Sequence, residues 1–595
     1  MQEIEHARAE RIEVLLEGVK SLDAKIRRLA VRALGRLERI ENRQAIVPLL
    51  RATEPAVRKE AVTAMGQIRA EYDWRSLLRQ EADGGIRGVI YETIGRVPPS
   101  AGESEALLVE GLSDRDPEAR IGAARGMEAL FRLNRERMRP AAETLRALRR
   151  ALRENESATL RELALLTLVG ANEADPETCA IAMKDPNPQV RRLAVIGSKQ
   201  WVEDPDPMVR YEALKVAGNC ARAAGAVEDR SAHVALLAVD QLGAWKCDAG
   251  LLARLTGSGD WRVRSRALVS LATVDADAAR GRLAKFAADP IWQVRAYAAQ
   301  AAKRIGDEST LARLAGDANP NVVIAALHAP EEARRALSSR HYGLVLEAAR
   351  FLKGNSDPAT APLLLRALRR LTLEKRATSR DPRMEILDRL AESGDMRAAG
   401  PLRGLLSDLD PAIAGRAAAI LSTLTGAKVE ARTIRYIHRP FPPAAFLRSL
   451  AGATARIMIR GRGPFLIELF PEEAPATAAT FAELADRGYY NGLTFHRIVP
   501  NFVIQGGSPG ANEYDGIGPF MPDEVGTRSH ARGTLGISTR GRDTGDAQIF
   551  VNLVDNFRLD HQYTVFARVI AGMDVVDRTQ EGDVIESVRI RRRGK

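Results

Sequence analysis

Two periods of hydrophobic spacing divide the chain. As far as about residue 430, Val, Ala, Ile and Leu recur at i, i+3 and i+4, which lays one apolar stripe along each of many short helices. From Arg456 the spacing changes to alternation. Arg456-Ile457-Met458-Ile459 and Phe465-Leu466-Ile467-Glu468-Leu469 read as paired strands around a Gly461-Arg462-Gly463 turn. Further strands are expected at 494–498, 502–505, 533–538, 549–553 and 564–569, with a glycine-rich loop at 506–518. Ala474-Pro475-Ala476-Thr477 opens a helix with Phe481, Leu484 and Ala485 on its apolar side. Many short strands with few helices suggest a closed barrel.

The helical part repeats itself. Asp116-Pro117-Glu118-Ala119-Arg120, Asn187-Pro188-Gln189-Val190-Arg191 and Asp206-Pro207-Met208-Val209-Arg210 share one plan. So do Glu54-Pro55-Ala56-Val57-Arg58, Asp260-Trp261-Arg262-Val263-Arg264, Asp289-Pro290-Ile291-Trp292-Gln293-Val294-Arg295, Asn319-Pro320-Asn321-Val322 and Asp410-Pro411-Ala412-Ile413. Asp or Asn caps a helix whose first turn tolerates proline, because the missing N–H would be unpaired there anyway. A second helix, such as Ala45-Ile46-Val47-Pro48-Leu49-Leu50, returns before the next unit. One such hairpin cannot bury its own apolar face, so the units must stack into a superhelix.

These units resemble HEAT repeats of the bacterial kind related to lyase-type PBS repeats. The resemblance covers roughly residues 10–430 and implies an all-α solenoid over 1–430, with an extended concave surface for an unidentified protein partner. The recurring Arg is read as a bridge to the acid of the adjacent repeat rather than as a phosphate ladder. Five tryptophans (Trp74, Trp201, Trp245, Trp261, Trp292) are too scattered for a stacking platform and are read as core or groove residues. Cys179, Cys220 and Cys247 are odd in number, lack metal-type spacing and are expected to be buried reduced thiols.

Arg439-Pro440-Phe441-Pro442-Pro443 cannot continue a helix, which makes 431–451 a semi-rigid linker with one short helical turn over 444–450. Charge divides at the same place. Residues from 451 onward hold 17 of the 88 Lys and Arg and 18 of the 77 Asp and Glu, so the barrel region is near neutral and the remainder carries +12. The basic residues are interleaved with acids, which favours solvated helix faces and argues against nucleic acid as a partner. No run of about 18 apolar residues occurs, so no membrane span is expected. The opening Met1-Gln2-Glu3-Ile4-Glu5-His6-Ala7-Arg8 lacks an export pattern. A cytoplasmic location is expected for the chain as written; a periplasmic one is the alternative if an export signal upstream of Met1 has been removed.

The alternating region also carries a long motif. Tyr489-Tyr490-Asn491-Gly492 is followed by Phe495-His496-Arg497-Ile498-Val499-Pro500-Asn501-Phe502-Val503-Ile504-Gln505-Gly506-Gly507. Then come Gly533-Thr534-Leu535-Gly536-Ile537-Ser538, Ala547-Gln548-Ile549-Phe550-Val551 and Tyr563-Thr564-Val565-Phe566-Ala567-Arg568-Val569. This order is similar to that of the cyclophilins over about 452–592. The resemblance implies a closed eight-stranded antiparallel β-barrel with two helices, acting as an isomerase on Xaa-Pro bonds in proline-containing polypeptides. Position by position it implies Arg497, Gln505 and Phe502 as catalytic residues. Phe550, Leu559, Val503, Ser538, Thr539, Gln548 and Tyr563 would bind substrate, and His496 would be structural. Arg558 stands where many eukaryotic relatives carry a tryptophan tied to cyclosporin binding, and Tyr563 stands where many carry histidine. Val503, Ser538 and Thr539 replace the Met, Ala and Asn of the best-known pattern.

No bond is broken in such a reaction, so no metal or other cofactor is called for. The leading expectation is therefore a folding catalyst whose repeat array recruits a client or partner. The alternative is a non-catalytic scaffold that only binds proline-containing segments.

Overall fold

The computed structural model describes residues 1–8, 11–97, 101–154, 157–432 and 438–593. In the array, the side chains of Asp116, Asn187, Asp206, Asn319 and Asp410 accept from the N–H two residues on, and proline takes the first turn. Helices of this kind belong to one row that runs from Ala24–Arg36 to Pro411–Thr425, each packed on the next. Shorter helices such as Trp74–Gln80 cover one side of the row. Small residues set the spacing. Helices Gly84–Arg96 and Pro117–Leu133 meet backbone to backbone, and a methyl on Gly95 would fall 1.9 Å from the Gly126 carbonyl oxygen.

The repeated Arg is an inter-repeat staple. Arg191 gives Nη1 to the carbonyls of Asp185 and Pro186 (2.9 and 3.1 Å), which holds the turn before its own helix. Its Nε and Nη2 donate to both oxygens of Asp204 in the next repeat (2.7 and 2.9 Å). Asp204 in turn accepts from the Asp206 N–H (2.8 Å) and so shapes the following turn. The same pattern joins Arg87 to Asp114, Arg210 to Asp229 and Arg295 to Asp317. The bond from Arg87 holds the Asp114 carboxyl below its ordinary range, and that from Arg295 does the same for Asp317.

The barrel comprises β1 (Thr454–Ile459), β2 (Gly463–Leu469), β3 (Thr494–Val499), β4 (Val503–Ser508), β5 (Thr534–Ile537), β6 (Ile549–Asn552), β7 (Val565–Ala571) and β8 (Asp583–Arg591). They close in the order β1-β2-β7-β5-β6-β4-β3-β8, all pairs antiparallel. Phe465, Phe481, Phe495 and Phe566 fill the centre. Helix Pro475–Asp486 has no cap of its own; Glu524 reaches over to accept from the N–H groups of Ala476 and Thr477 (3.0 and 2.9 Å). A second helix, Met573–Arg578, precedes β8. The short helix Ala444–Ser449 leads into Leu450, which belongs to the barrel core.

The array encircles the barrel. Helix after helix of the inner row touches it: Arg36 donates to the carbonyls of Val525 and Glu473 (both 2.8 Å), and Glu92 meets His561. Asn501 donates to Glu212 (2.8 Å), and Arg262 pairs with Asp583 (2.7 Å). Tyr297 donates to Glu581 (2.9 Å), and Asn321 to the Gly510 carbonyl (2.8 Å). Both ends of the row converge on one loop, where Arg8 pairs with Asp543, Glu38 with Arg542 and Asp381 with Arg540. Phe557 of the barrel is buried in the array's first core, under the Arg125 guanidinium.

Two expectations need correcting. Cys220 is exposed and forms a disulfide with Cys247, leaving Cys179 as the one buried free thiol among the described residues. Helix Cys220–Ala226 packs against the next helix, Ala232–Ala244, and this hairpin brings the two cysteines together. Nor are the inner arginines solvated: Arg36 is 2% exposed and Arg192 is 8% exposed, because the barrel covers the face they line. No described helix is long and apolar enough to cross a membrane.

Removing one staple leaves a half-buried carboxylate and two carbonyls without their donor. Arg191→Ala is expected to lower unfolding stability by about 2 kcal/mol, read from the denaturant midpoint. An unchanged midpoint would contradict the staple's role.

A second prediction concerns the array–barrel interface. Burial, with the Asp555 carboxylate beside it, pushes the Glu162 carboxyl up to about 9. In the unfolded chain it would ionise near the ordinary value of roughly 4.3. Between those two values the folded protein binds the extra proton, so this group's contribution to stability falls as pH rises through that window. Glu162→Gln should flatten the decline of Tm between about pH 5 and about pH 8.5. Parallel Tm profiles for the two proteins would refute this.

Candidate functional site

The site lies on the outer face of β3, β4 and β6, and register assembles it. Arg497 on β3 stands opposite Gln505 on β4, which stands opposite Phe550 on β6. A bulge places Arg497 there. Phe495 pairs with Gly506 and Arg497 with Gln505, so His496 is an extra residue in β3. That insertion lets Phe495 point into the core at 0% exposure while Arg497, two residues on, faces out. His496 is half-buried, and burial lowers its imidazole to about 4, so it is neutral at physiological pH.

A chain of amides fixes the guanidinium. Gln505 is 4% exposed and gives its two N–H donors to Ser538 Oγ (3.1 Å) and Gln548 Oε1 (3.0 Å). Its own oxygen then accepts from Arg497 Nη1 (3.2 Å). Gln548 is anchored in turn by donating to the Asp515 carbonyl (2.9 Å). On the other side, Arg497 Nε lies 3.3 Å from Glu513 Oε1.

Beside this chain is an aromatic group. The Phe550 ring stacks on His530 (centroids 5.9 Å apart, 14° between planes) and meets Tyr563 edge-on at 6.0 Å. His530 is held by Asp560, which accepts from its backbone N–H (2.7 Å). Gly536 opposes Phe550 across β5 and β6, and a methyl there would lie 2.2 Å from Phe550 Cζ. Phe502 and Val503 sit where the turn at Asn501 (φ 58°) enters β4, and the Arg558 guanidinium lies 4.4 Å from the Phe502 ring centroid. Leu559 is in the turn Phe557–Leu559, its carbonyl accepting from the Tyr563 N–H (3.3 Å).

Of the residues singled out from sequence, Arg497, Gln505, Ser538 and Gln548 are joined by hydrogen bonds, and Phe550 and Tyr563 by ring contact. Thr539 is joined to the group only through its neighbour Ser538, half-buried beyond the end of β5. Sequence reasoning missed Glu513, Gly536 and His530. Gly536 lay inside a quoted motif; Glu513 and His530 sit in loops with no periodicity to single them out. Among the described residues, no group of three or more His, Cys, Asp or Glu is placed to hold a metal ion.

The family model for "Cyclophilin type peptidyl-prolyl cis-trans isomerase/CLD" matches residues 454–594, and that for HEAT repeats matches 12–73 and 249–330. A peptidyl-prolyl cis-trans isomerase of Helicobacter pylori is 40% identical over 131 residues, which is 21% of this chain and 80% of that protein. Peptidyl-prolyl cis-trans isomerase B of Bacillus subtilis is 39% identical over 125 residues, 21% of this chain and 87% of its own length. A peptidyl-prolyl cis-trans isomerase of Synechococcus elongatus is 36% identical over 139 residues, 23% of this chain and 96% of its own length.

The fit of Phe550 against Gly536 leaves no room for a side chain. Gly536→Ala is therefore expected to displace the ring and weaken binding of a short proline-containing peptide about tenfold or more, measured by NMR titration. Wild-type affinity in the variant would show that Phe550 does not shape the pocket.

Proposed function

The chain belongs to the cyclophilin-type peptidyl-prolyl cis-trans isomerases, and from that premise we infer that Arg497 is its catalytic residue. The protein is a peptidyl-prolyl cis-trans isomerase that acts on proline-containing polypeptides, joined to HEAT repeats that act as a protein-interaction scaffold. The observation that carries the assignment of Arg497 is its hydrogen bond to the oxygen of a glutamine whose two N–H donors are both engaged elsewhere.

Resonance gives the amide C–N bond partial double-bond character and a rotation barrier of about 18–20 kcal/mol. Uncatalysed Xaa-Pro exchange takes tens to hundreds of seconds. Millisecond turnover needs a barrier lower by roughly 6–7 kcal/mol. In the twisted transition state the prolyl nitrogen regains a localised lone pair. A fixed guanidinium that donates to that nitrogen binds the twisted amide better than either planar isomer. Arg497 supplies the donor through its planar fork of N–H groups.

Gln505 has one orientation open to it, because its N–H groups face Ser538 and Gln548. It thereby aims Arg497 and presents the same edge to the substrate backbone. Phe502, Val503, Phe550, Leu559 and Tyr563 would hold the pyrrolidine ring. Ser538, Thr539 and Gln548 would line the edge along which the peptide lies. Recruitment of a client or partner by the array completes this reading.

Arg497→Ala is expected to lower kcat/KM on an Xaa-Pro peptide by about 10²–10³, followed by NMR exchange or a protease-coupled assay. Arg497→Lys should recover only part of that loss, since a point charge cannot donate through two fixed N–H groups. Equal rates for Arg497→Ala and wild type would end the assignment.

A further inference from the structure

Arg497 faces a carboxylate that the assigned chemistry does not use. Glu513 Oε1 is 3.3 Å from Arg497 Nε; the two side chains are 46% and 39% exposed, so the pair stands in the open mouth of the site. Rotation about the prolyl bond needs no base, and a bare anion beside the catalytic cation gives the reaction nothing directly. What it changes is the field that an incoming peptide meets.

Glu513 is not a loose surface residue. Its loop is tied down inside the barrel, where Asn512 donates to Asp515 (3.0 Å) and accepts from the N–H groups of Tyr514 and Asp515 (2.8 and 3.1 Å). The array grips the same loop from outside. Asn321 donates to the Gly510 carbonyl (2.8 Å), and Arg350 donates to the Tyr514 hydroxyl (3.0 Å). Arg540, itself paired with Asp381 of the array, donates to the Glu513 carbonyl (2.5 Å). Three separate array helices, Pro320–Ala326, Tyr342–Phe351 and Arg380–Ser393, thus converge on the segment that carries this carboxylate.

We propose that Glu513 is a specificity-determining residue, held at the mouth of the site by the array, that selects Xaa-Pro segments bearing Lys or Arg beside the isomerised bond and disfavours those bearing Asp or Glu. The proposal rests on Arg497 being the residue that engages the prolyl amide. A substrate whose amide lies against Arg497 carries its neighbouring side chains within several ångströms of Glu513. At that range, in solvent, a single charge shifts affinity about threefold in either direction, so a lysine peptide and a glutamate peptide should differ about tenfold. The charge acts on the bound peptide whether planar or twisted, so the difference belongs in KM rather than kcat. Arg540 and Arg350 do not cancel the field. The charge of the first is balanced by Asp381 and that of the second by Glu347.

The test uses the full chain and three short peptides identical except for Lys, Ala or Glu before proline, with exchange rates read by NMR over a range of concentrations. Wild type should show kcat/KM in the order Lys, Ala, Glu, spanning about tenfold at low ionic strength and collapsing in 0.5 M salt as charges are screened. Glu513→Gln should compress that span to about twofold through KM. Arg350→Met, which releases Tyr514 without touching the substrate, should compress it partway. The same span in Glu513→Gln as in wild type would overturn the assignment, and an unchanged span in Arg350→Met would overturn the array's part in it. A failure of the underlying reading is distinguishable: Arg497→Ala would then turn over the Ala peptide as fast as wild type.

Discussion

The guanidinium–carboxylate staple between neighbouring repeats is the interaction on which the remaining architecture depends. Each acid serves two partners, accepting from the arginine of the preceding repeat and from the N–H of its own turn, so the position of one helix is handed directly to the next. Arginine suits the task because its planar fork fixes direction as well as distance. A small error per repeat would accumulate along the row. The row nevertheless arrives with Arg8 and Glu38 at one end and Asp381 at the other on the same short stretch of the barrel, residues 540–543. Curvature set by the staples thus becomes a closed circuit, and the isomerase occupies its interior.

Part of what the array offers the barrel is backbone recognition. Arg36 meets carbonyls of Val525 and Glu473, Arg262 meets that of Glu581, and Asn321 meets that of Gly510. Bonds of this kind hold loops in place with little regard to their side chains. They surround the site without replacing its parts, which all come from the barrel: the bulged β3, the buried amide of Gln505 and the Phe550 ring over Gly536. The expected concave surface is therefore present, but the chain's own C-terminal region lies against it.

Most of the barrel was legible because alternation survives wherever one face of a strand is buried. The strand around Phe465 alternates as its sequence does, whereas β6 around Ile549 is buried at every residue and was legible as a short apolar run. The eighth strand, β8, was implied by the resemblance but not singled out by spacing, because its charged residues (Glu586, Arg589, Arg591) dilute the apolar signal. The repeat arginines were readable as bridges from their recurrence at one place in each unit, although the acid they reach lies at a different distance along the chain in each repeat, 13 residues on for Arg191 and 27 for Arg87. The disulfide was not, since it depends on the helix that Cys220 opens folding back along Ala232–Ala244, which brings it to Cys247 just past that helix's end. The site residues were legible through a long motif, whereas Glu513 was not. Its place beside Arg497 depends on contacts with Asn321 and Arg350, more than 150 residues away along the chain.

The order of the elements along the chain gives the circuit a history. The array precedes the barrel, and β8, which bonds to both β1 and β3, comes last. A ribosome therefore completes the repeats while the barrel is still a set of unclosed strands. The face lined by Arg36, Glu162 and Arg192 is therefore made before the barrel that covers it, and is the first part of the chain that the barrel's strands can meet.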